Sequence, residues 1–143
     1  MDFLTSTYIL ATASTCIYAA YTDIRWQSIN HISWIILAIL GILFGWGNFS
    51  SSYLIIVAIP LGIYAINRVF HHSIGTGDLL FIGAGSLHLT PHFWGFFYMI
   101  SGVLGLFLWS YYRIRFPHIK NIRIPLVPAL GLGLQWCILS QQG

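Results

Sequence analysis

Long stretches without a charged residue dominate the chain, because its few Asp, Lys and Arg residues fall in narrow groups. The uncharged stretches are 20, 42, 34 and 20 residues long and cover residues 3–22, 26–67, 79–112 and 124–143. A helix needs about 20 mainly apolar residues to cross a membrane. Each outer stretch therefore predicts one span and each inner stretch a hairpin of two spans. The pattern predicts an all-α bundle of six transmembrane helices, in one domain over residues 1–143.

Breaker residues mark a turn inside each of the two longer stretches. The first turn lies in the segment 45–52, which is rich in Gly, Asn and Ser, and the second at Thr90-Pro91-His92. Only 12 residues separate Asp78 from Pro91. They form about 18 Å of helix, which is shorter than a hydrocarbon core of about 30 Å. We therefore expect the fourth helix to start before Asp78, or the membrane to be thinner there.

Composition agrees with a membrane protein. Apolar and aromatic residues make up 57% of the sequence and charged residues 6%, whereas soluble domains carry about 25% charged residues. A water-soluble globular protein is excluded, because charged side chains ordinarily cover the surface that faces water. The aromatic content of 17% excludes a disordered chain. The net charge of +3 is too small and scattered to indicate nucleic-acid binding, so the lipid bilayer is the expected partner.

The basic residues give the expected orientation in the membrane. With six alternating spans, all of them fall on one side, which the positive-inside rule makes cytoplasmic. Both termini then lie on the external, periplasmic side. No positively charged segment precedes the first span as in a secretory signal, so we expect residues 3–22 to be a retained span. The basic residues concerned are Arg25, Arg68, Arg113, Arg115, Lys120 and Arg123.

Two acidic residues are candidates for chemistry. The sequence has no Glu, and its acids are Asp2 at the terminus, Asp23 after the first span and Asp78 at the start of the fourth. One out-and-back hairpin separates the latter two, so both are expected at the cytoplasmic end of the bundle. Ionisable residues at membrane depth are costly and are functional candidates by default. The alternative is structural: each Asp caps a helix or pairs with Arg25 or Arg68.

The local sequence around Asp78 favours the functional interpretation. Asp78 ends the tetrapeptide Gly75-Thr-Gly77-Asp78, in which glycines allow positive φ and the close approach of another chain. Two neighbouring carboxyls can share a proton and act as base and acid. Such a pair can hydrolyse a peptide bond without a metal or a diffusible cofactor. The pattern predicts a site formed by two carboxylates.

With these motifs the chain resembles the type IV prepilin peptidases, which are intramembrane aspartyl proteases of the GxGD class. Residues 23–30 resemble the first aspartate element of that family. The segment 75–78, with Gly83 and Gly85 downstream, resembles its second aspartate motif. Residues 124–133 resemble the proline-rich start of its last helix. The span order resembles the catalytic part of the family from end to end.

The resemblance implies a membrane-embedded aspartic endopeptidase with Asp23 and Asp78 as catalytic residues. Gly75, Gly77 and Asn30 then occupy supporting positions of the two motifs. The implied substrates are prepilin or pseudopilin precursors, which lose a short basic leader at the cytoplasmic face of the bacterial inner membrane. The implied chemistry uses no metal and no cofactor.

Two departures from the family pattern support a different interpretation. Leu80 stands where the family commonly has Lys, and Ser28 where the first motif usually has Pro. The alternative is a catalytically weak or inactive relative that acts as an assembly partner in a pilus or type II secretion system. A preflagellin or signal-peptide-peptidase relative shares GxGD but differs in substrate, and the short six-span form makes the larger eukaryotic type improbable.

Cysteines and glycines in the predicted spans indicate packing. Longer relatives carry two Cys pairs in a cytosolic segment linked to N-methylation of the new pilin terminus. This sequence has only Cys16 and Cys137, in the first and last spans. We expect buried packing thiols and peptidase activity without methylation.

Gly41 and Gly45, spaced as GxxxG, predict close helix contact.

Histidines suggest one further alternative, a membrane electron carrier with a haem bound between His31 and His72. His88 and His92 have the i,i+4 spacing of one helix face, but Pro91 lies between them. Proline favours the first position of a helix, so the fifth helix is predicted to start there with Thr90 as its cap. We expect both histidines at the external interface, in water.

Overall fold

The computed structural model describes residues 3–45, 62, 65, 75–118 and 124–141. These residues form α helices and no strand, which confirms the all-α prediction for this part of the chain. The predicted third span falls almost entirely outside the described residues, so the count of six spans stays a prediction. The helices are α1 (Phe3–Trp26), α2 (His31–Gly45), α3 (Thr76–Ser86), α4 (Pro91–Arg115) and α5 (Val127–Ser140).

Helix length separates the elements into two groups. α1 and α4, with 24 and 25 residues, are long and apolar enough to cross a membrane. α2 and α5 are shorter apolar helices of 15 and 14 residues. α3 has 11 residues and starts only two residues before Asp78. It is therefore about 16 Å long, so the early start of this helix does not make it long enough to span.

Local signals explain where several helices begin. Gln27, with a φ of 50°, lies in the linker that follows α1. The side-chain Oδ1 of Asn30 accepts a hydrogen bond from the backbone N–H of Ile32 at 3.0 Å and caps α2. α4 begins at Pro91 with Thr90 at the cap position, as predicted. α1 continues to Trp26, so Asp23 lies in its last turn and not after the helix.

The last helix, α5, packs against α4, α1 and α3, while α2 packs against α1 and α3. Two glycines permit the close approach of α5. A Cβ on Gly131 would lie 3.2 Å from the Cβ of Cys16, and one on Gly133 would collide with Ser101. Cys16 and Cys137 are free and buried, as predicted. The buried residues of α5 are Val127, Ala129, Leu130, Gly131, Gly133, Leu134, Cys137 and Ile138.

The outward faces of the two long helices are apolar. Large exposed side chains occur along both α1 and α4, which is typical of helices whose neighbour is lipid and not water. On these two helices they include Phe3, Leu4, Leu10, Ile17, Phe96, Met99, Val103, Leu106 and Phe107.

Candidate active site

Asp23 is buried and is held by the last helix of the chain. Its side chain is 7% exposed, and its Oδ2 accepts a hydrogen bond from the backbone N–H of Val127 at 3.0 Å. The backbone of Leu126 also donates to it. The first N–H groups of a helix have no partner within the helix. Asp23 therefore caps α5 from α1, which is one part of the structural interpretation considered above.

Asp78 lies in the first turn of α3 and is partly buried. Its carboxylate folds back over Gly75, whose backbone donates a hydrogen bond to it. This is the arrangement in which an acid at the third helical position satisfies the N–H of the cap residue. A Cβ on Gly75 would stand 2.8 Å from Oδ2 of Asp78. Glycine at position 75 therefore makes room for the carboxylate.

Gly77 brings the linker between α1 and α2 onto α3. A Cβ at this position would lie 3.1 to 3.3 Å from the side chain of Ile29, so a larger residue would require the side chain of Ile29 to shift. The predicted close approach is confirmed. The positive φ that glycine allows is not used here: the glycines that the structure describes have none, and Gly75 is extended, with φ −63° and ψ 137°.

The two acids belong to one electrostatic neighbourhood. The charge of Asp23 acts on the carboxyl of Asp78, although the two residues are on different helices. Each carboxylate also receives a backbone hydrogen bond at the start of a helix, Asp23 from α5 and Asp78 from α3. Two neighbouring carboxylates of like charge repel each other, and a pair that interacts strongly takes up and releases protons as one coupled unit. The arrangement therefore suits the transfer of a proton between the two groups.

Asn30 supports the site through the backbone. Besides capping α2, its Nδ2 donates a hydrogen bond to the hydroxyl of Tyr18 at 3.2 Å. The linker is thus tied to α1 at Tyr18, five residues before Asp23, and Ile29 of the same linker packs on Gly77. Asn30 fixes the path of the linker that meets α3.

Arg25 takes no part in an ion pair with Asp23. Its guanidinium donates to the hydroxyl of Tyr21 and lies 5.9 Å and 5.3 Å from the ring centroids of Tyr21 and Trp26. It is exposed with these aromatic residues at the end of α1. The proposed pairing of Asp23 with Arg25 is therefore wrong, whereas Arg68 lies outside the described residues.

The burial of His88 differs most from what the sequence predicts. His88 is only 8% exposed, and both of its ring nitrogens have partners, so its predicted place in water is wrong. His92 is exposed on the first turn of α4, whereas His88 lies within the turn before that helix, so the two histidines do not share one helix face. The buried position of His88 comes from partners distant in sequence, Tyr8 and Leu37, which a local pattern does not reveal.

The metal and haem alternatives gain no ligand set from the described ranges, which contain no group of three or more His, Cys, Asp or Glu suited to a metal ion. His31 is exposed, and its Nδ1 accepts a hydrogen bond from Nε1 of Trp34 at 3.3 Å. Its proposed haem partner, His72, lies outside the described residues.

The described residues form an apolar helical protein in which α1 and α3 each carry an acid, and the charge of one acts on the other. Comparison with known families agrees with the resemblance noted in the sequence. A family-wide sequence profile of the type IV leader peptidase family matches residues 10–110, and the chain belongs to this family. No curated protein and no solved structure matches the chain. The matched segment contains both acids. It does not include α5, whose first N–H groups are capped by Asp23.

Proposed function

We propose that the protein is a membrane-embedded aspartic endopeptidase. It removes the basic leader of prepilin or pseudopilin precursors at the cytoplasmic face of the bacterial inner membrane, without methylating the product. The observation that carries the proposal is that Asp23 on α1 is near enough for its charge to act on the carboxyl of Asp78 on α3, in a member of the type IV leader peptidase family.

The reaction needs one water molecule and one proton shared by the two carboxyls. The ionised carboxylate takes a proton from water as the water oxygen bonds to the scissile carbonyl carbon. The protonated carboxyl gives its proton to the carbonyl oxygen. The carboxyl that received the water proton then gives it to the leaving nitrogen as the C–N bond breaks, and a hydroxyl of the tetrahedral intermediate returns its proton to the other carboxylate as the C=O bond re-forms. The pair ends the cycle with one proton, as it began. Either acid can take either role in this scheme.

The backbone donors give each carboxylate a fixed orientation. Oδ2 of Asp23 accepts a hydrogen bond from the backbone N–H of Val127, which restricts the rotation of this carboxyl group. The carboxylate of Asp78 is held against Gly75. Fixed orientation contributes to catalysis because misplacing a reacting group by about 1 Å can cost roughly 100-fold in rate.

The location of the acids suits a substrate with a basic leader and an apolar helix. Asp23 lies in the same last turn of α1 as Arg25, at the end of the bundle that the basic residues assign to the cytoplasm. An apolar helix of the precursor lies in the bilayer beside the protein, and the leader extends into the cytoplasm. The scissile bond between them then reaches the level of the two acids.

A processing assay with asparagine variants tests the proposal. A precursor with a basic leader is coexpressed with the protein, and loss of the leader is followed on a gel. We expect Asp23→Asn and Asp78→Asn to abolish processing and Asp2→Asn, at the third acid of the sequence, to leave it unchanged. Normal processing by both Asn variants at the two sites would refute the aspartyl mechanism.

Asparagine is the informative replacement at position 23 because it preserves the cap. Asn caps a helix about as well as Asp, whereas Ala at a cap costs about 0.5–2 kcal/mol of stability. We expect Asp23→Asn to unfold near the native temperature in detergent and Asp23→Ala to unfold clearly earlier. This comparison separates loss of chemistry from loss of structure.

A second candidate function, an inactive assembly partner, is supported by two observations. Leu80 is half-buried on α3 where the family commonly has Lys, and both acids have structural bonds to helix starts. For this candidate, the native protein leaves every precursor uncut, yet Asp23→Ala still lowers its stability.

A further inference from the structure

The turn after α3, residues 87–90, ties together helices from the whole described bundle. We call it the turn hub. His88 bonds to α1 and α2, Nε1 of Trp94 on α4 donates to the carbonyl of Leu89 at 3.2 Å, and the backbone N–H of Thr90 donates to Oε1 of Gln141 at 3.2 Å. Gln141 directly follows α5. Polar bonds therefore converge on this turn from every other described helix or its end.

His88 is the centre of the turn hub. Its Nε2 lies 2.7 Å from the carbonyl oxygen of Leu37 on α2, and its Nδ1 lies 2.6 Å from the hydroxyl of Tyr8 on α1. A carbonyl can only accept, so Nε2 carries the hydrogen and donates it. In the neutral ring Nδ1 then accepts from the hydroxyl of Tyr8. Both bonds are buried, where leaving a polar group without a partner is costly.

The surroundings of His88 are shaped to hold it. A Cβ on Gly41 of α2 would lie 2.7 Å from the Cβ of Leu87 and 3.1 Å from the His88 ring. Position 41 must therefore be glycine for the turn to seat on α2. The ring of Tyr8 stacks on His88 with centroids 5.6 Å apart and contacts Phe44 with centroids 4.7 Å apart.

The turn hub and α3 form one continuous body. The backbone N–H groups of Leu87, His88 and Leu89 donate to the carbonyls of Ala84, Gly85 and Ser86 at 3.1 to 3.3 Å. Asp78 and His88 are thus opposite ends of one hydrogen-bonded segment, about 15 Å apart at the rise of a helix.

We infer that Tyr8 and His88 are positioning residues, which set the height and rotation of α3 against α1 and so hold Asp78 beside Asp23. The inference rests on the proposed function and names residues that act on the reaction through α3. α3 packs on α2 and α5, whereas the other acid is on α1. The Tyr8–His88 bond links α1 directly to the body that carries Asp78.

A cross-linking measurement tests this positioning without using the two acids. The Cβ of Ile29 lies 3.2 Å from the place of a Cβ on Gly77, near the separation of about 3.5–4.5 Å found in disulfides. Ile29→Cys and Gly77→Cys are combined in a protein whose native cysteines are replaced by Ala. Oxidation is timed with and without Tyr8→Phe, which removes one hydroxyl and keeps the ring. We expect several-fold slower cross-linking with Tyr8→Phe, and the same with His88→Gln.

Cleavage kinetics provide the second measurement, made on Tyr8→Phe in the protein with native cysteines. We expect kcat to fall about tenfold with little change in KM, because the displaced group is an acid of the site and not a substrate contact. Tyr111→Phe, at an exposed tyrosine of α4, is the matched control for both measurements and should change neither.

The outcomes separate the inference from the proposed function. Slower cross-linking together with a lower kcat supports both. Slower cross-linking in a protein that cleaves no precursor supports the positioning and refutes the peptidase. Unchanged cross-linking with Tyr8→Phe overturns the positioning, whatever the cleavage rate.

Discussion

Within the part of the chain that the structure describes, each acid of the candidate site is held by backbone N–H groups at a helix start, and no basic side chain pairs with either acid. Arg25, two residues after Asp23, lies on aromatic rings, and Leu80 replaces the Lys that the family commonly has. A helix N-terminus carries the equivalent of about half a positive charge. The starts of α3 and α5 therefore supply positive potential to the pair without adding a full cation.

The activity of such a pair should depend on pH from both sides. At low pH both carboxyls are protonated and no base remains to activate water. At high pH both are ionised and no acid remains to protonate the leaving group. We expect a bell-shaped profile of kcat/KM, measured on purified protein with a precursor peptide. A rate that rises steadily with pH, in a protein that stays folded, would contradict the shared-proton mechanism.

Sequence reasoning identified the two acids but not what holds them. Asp23 and Asp78 stand out because the chain has hardly any other acid. The donor to Asp23 is the backbone of Val127, 104 residues away. Every residue except proline has a backbone N–H, so the sequence does not show which one donates. His88 was misplaced for a similar reason, since one of its partners is the carbonyl of Leu37.

At the scale of elements, the two motif glycines are sites of close approach. Gly77→Ala puts a methyl group 3.1 to 3.3 Å from atoms of Ile29. We expect lower cleavage activity and a lower melting temperature in detergent, because the side chain of Ile29 must shift. Ile29→Ala in the same protein should restore part of both, since it removes the opposing atoms.

Gly95→Ala is the matched control for that substitution. A Cβ at Gly95, which is exposed on α4, meets nothing within 4 Å. Replacing an unobstructed helical Gly by Ala stabilises by roughly 0.5–1 kcal/mol, so this variant should keep its activity and melt slightly later. Equal losses in both variants would contradict the packing role of Gly77.

Helix starts were easier to predict than helix ends. Pro91 and Thr90 indicated the start of α4 through proline geometry, and α4 begins there. The first span was predicted to stop at residue 22 because a charge follows. α1 continues through Asp23 and Arg25 to Trp26, since a charged residue does not end a helix when its side chain finds a partner elsewhere.

At the scale of the molecule, orientation in the membrane can be tested by labelling. Single cysteines are introduced by His92→Cys and Arg115→Cys, at exposed positions at opposite ends of α4, with the native cysteines replaced by Ala. We expect a membrane-impermeant maleimide to label position 92 in cells with a permeable outer membrane. Position 115 should react only after the inner membrane is opened. The reverse result would invert the topology and place the acids outside.

The helix α5 is more central to the described part of the bundle than the sequence indicated. α5 packs on α1, α3 and α4, and its start meets Asp23. The length of the apolar segment 124–143 predicted this helix but not its central position. Apolar residues occur both on helices that face lipid and on helices surrounded by protein, so the sequence does not distinguish the two. Its position explains why Gly131 and Gly133 face α1 and α4.

The cap that Asp23 provides has a consequence for recognising active enzymes among related chains. A descendant that no longer cuts anything still benefits from Asp or Asn at position 23, because either one secures the final helix. An acid at position 23 is therefore weak evidence that a related chain is an active enzyme. A related chain with Asn at position 23 and an intact GxGD tetrapeptide would keep the fold but lack peptidase activity.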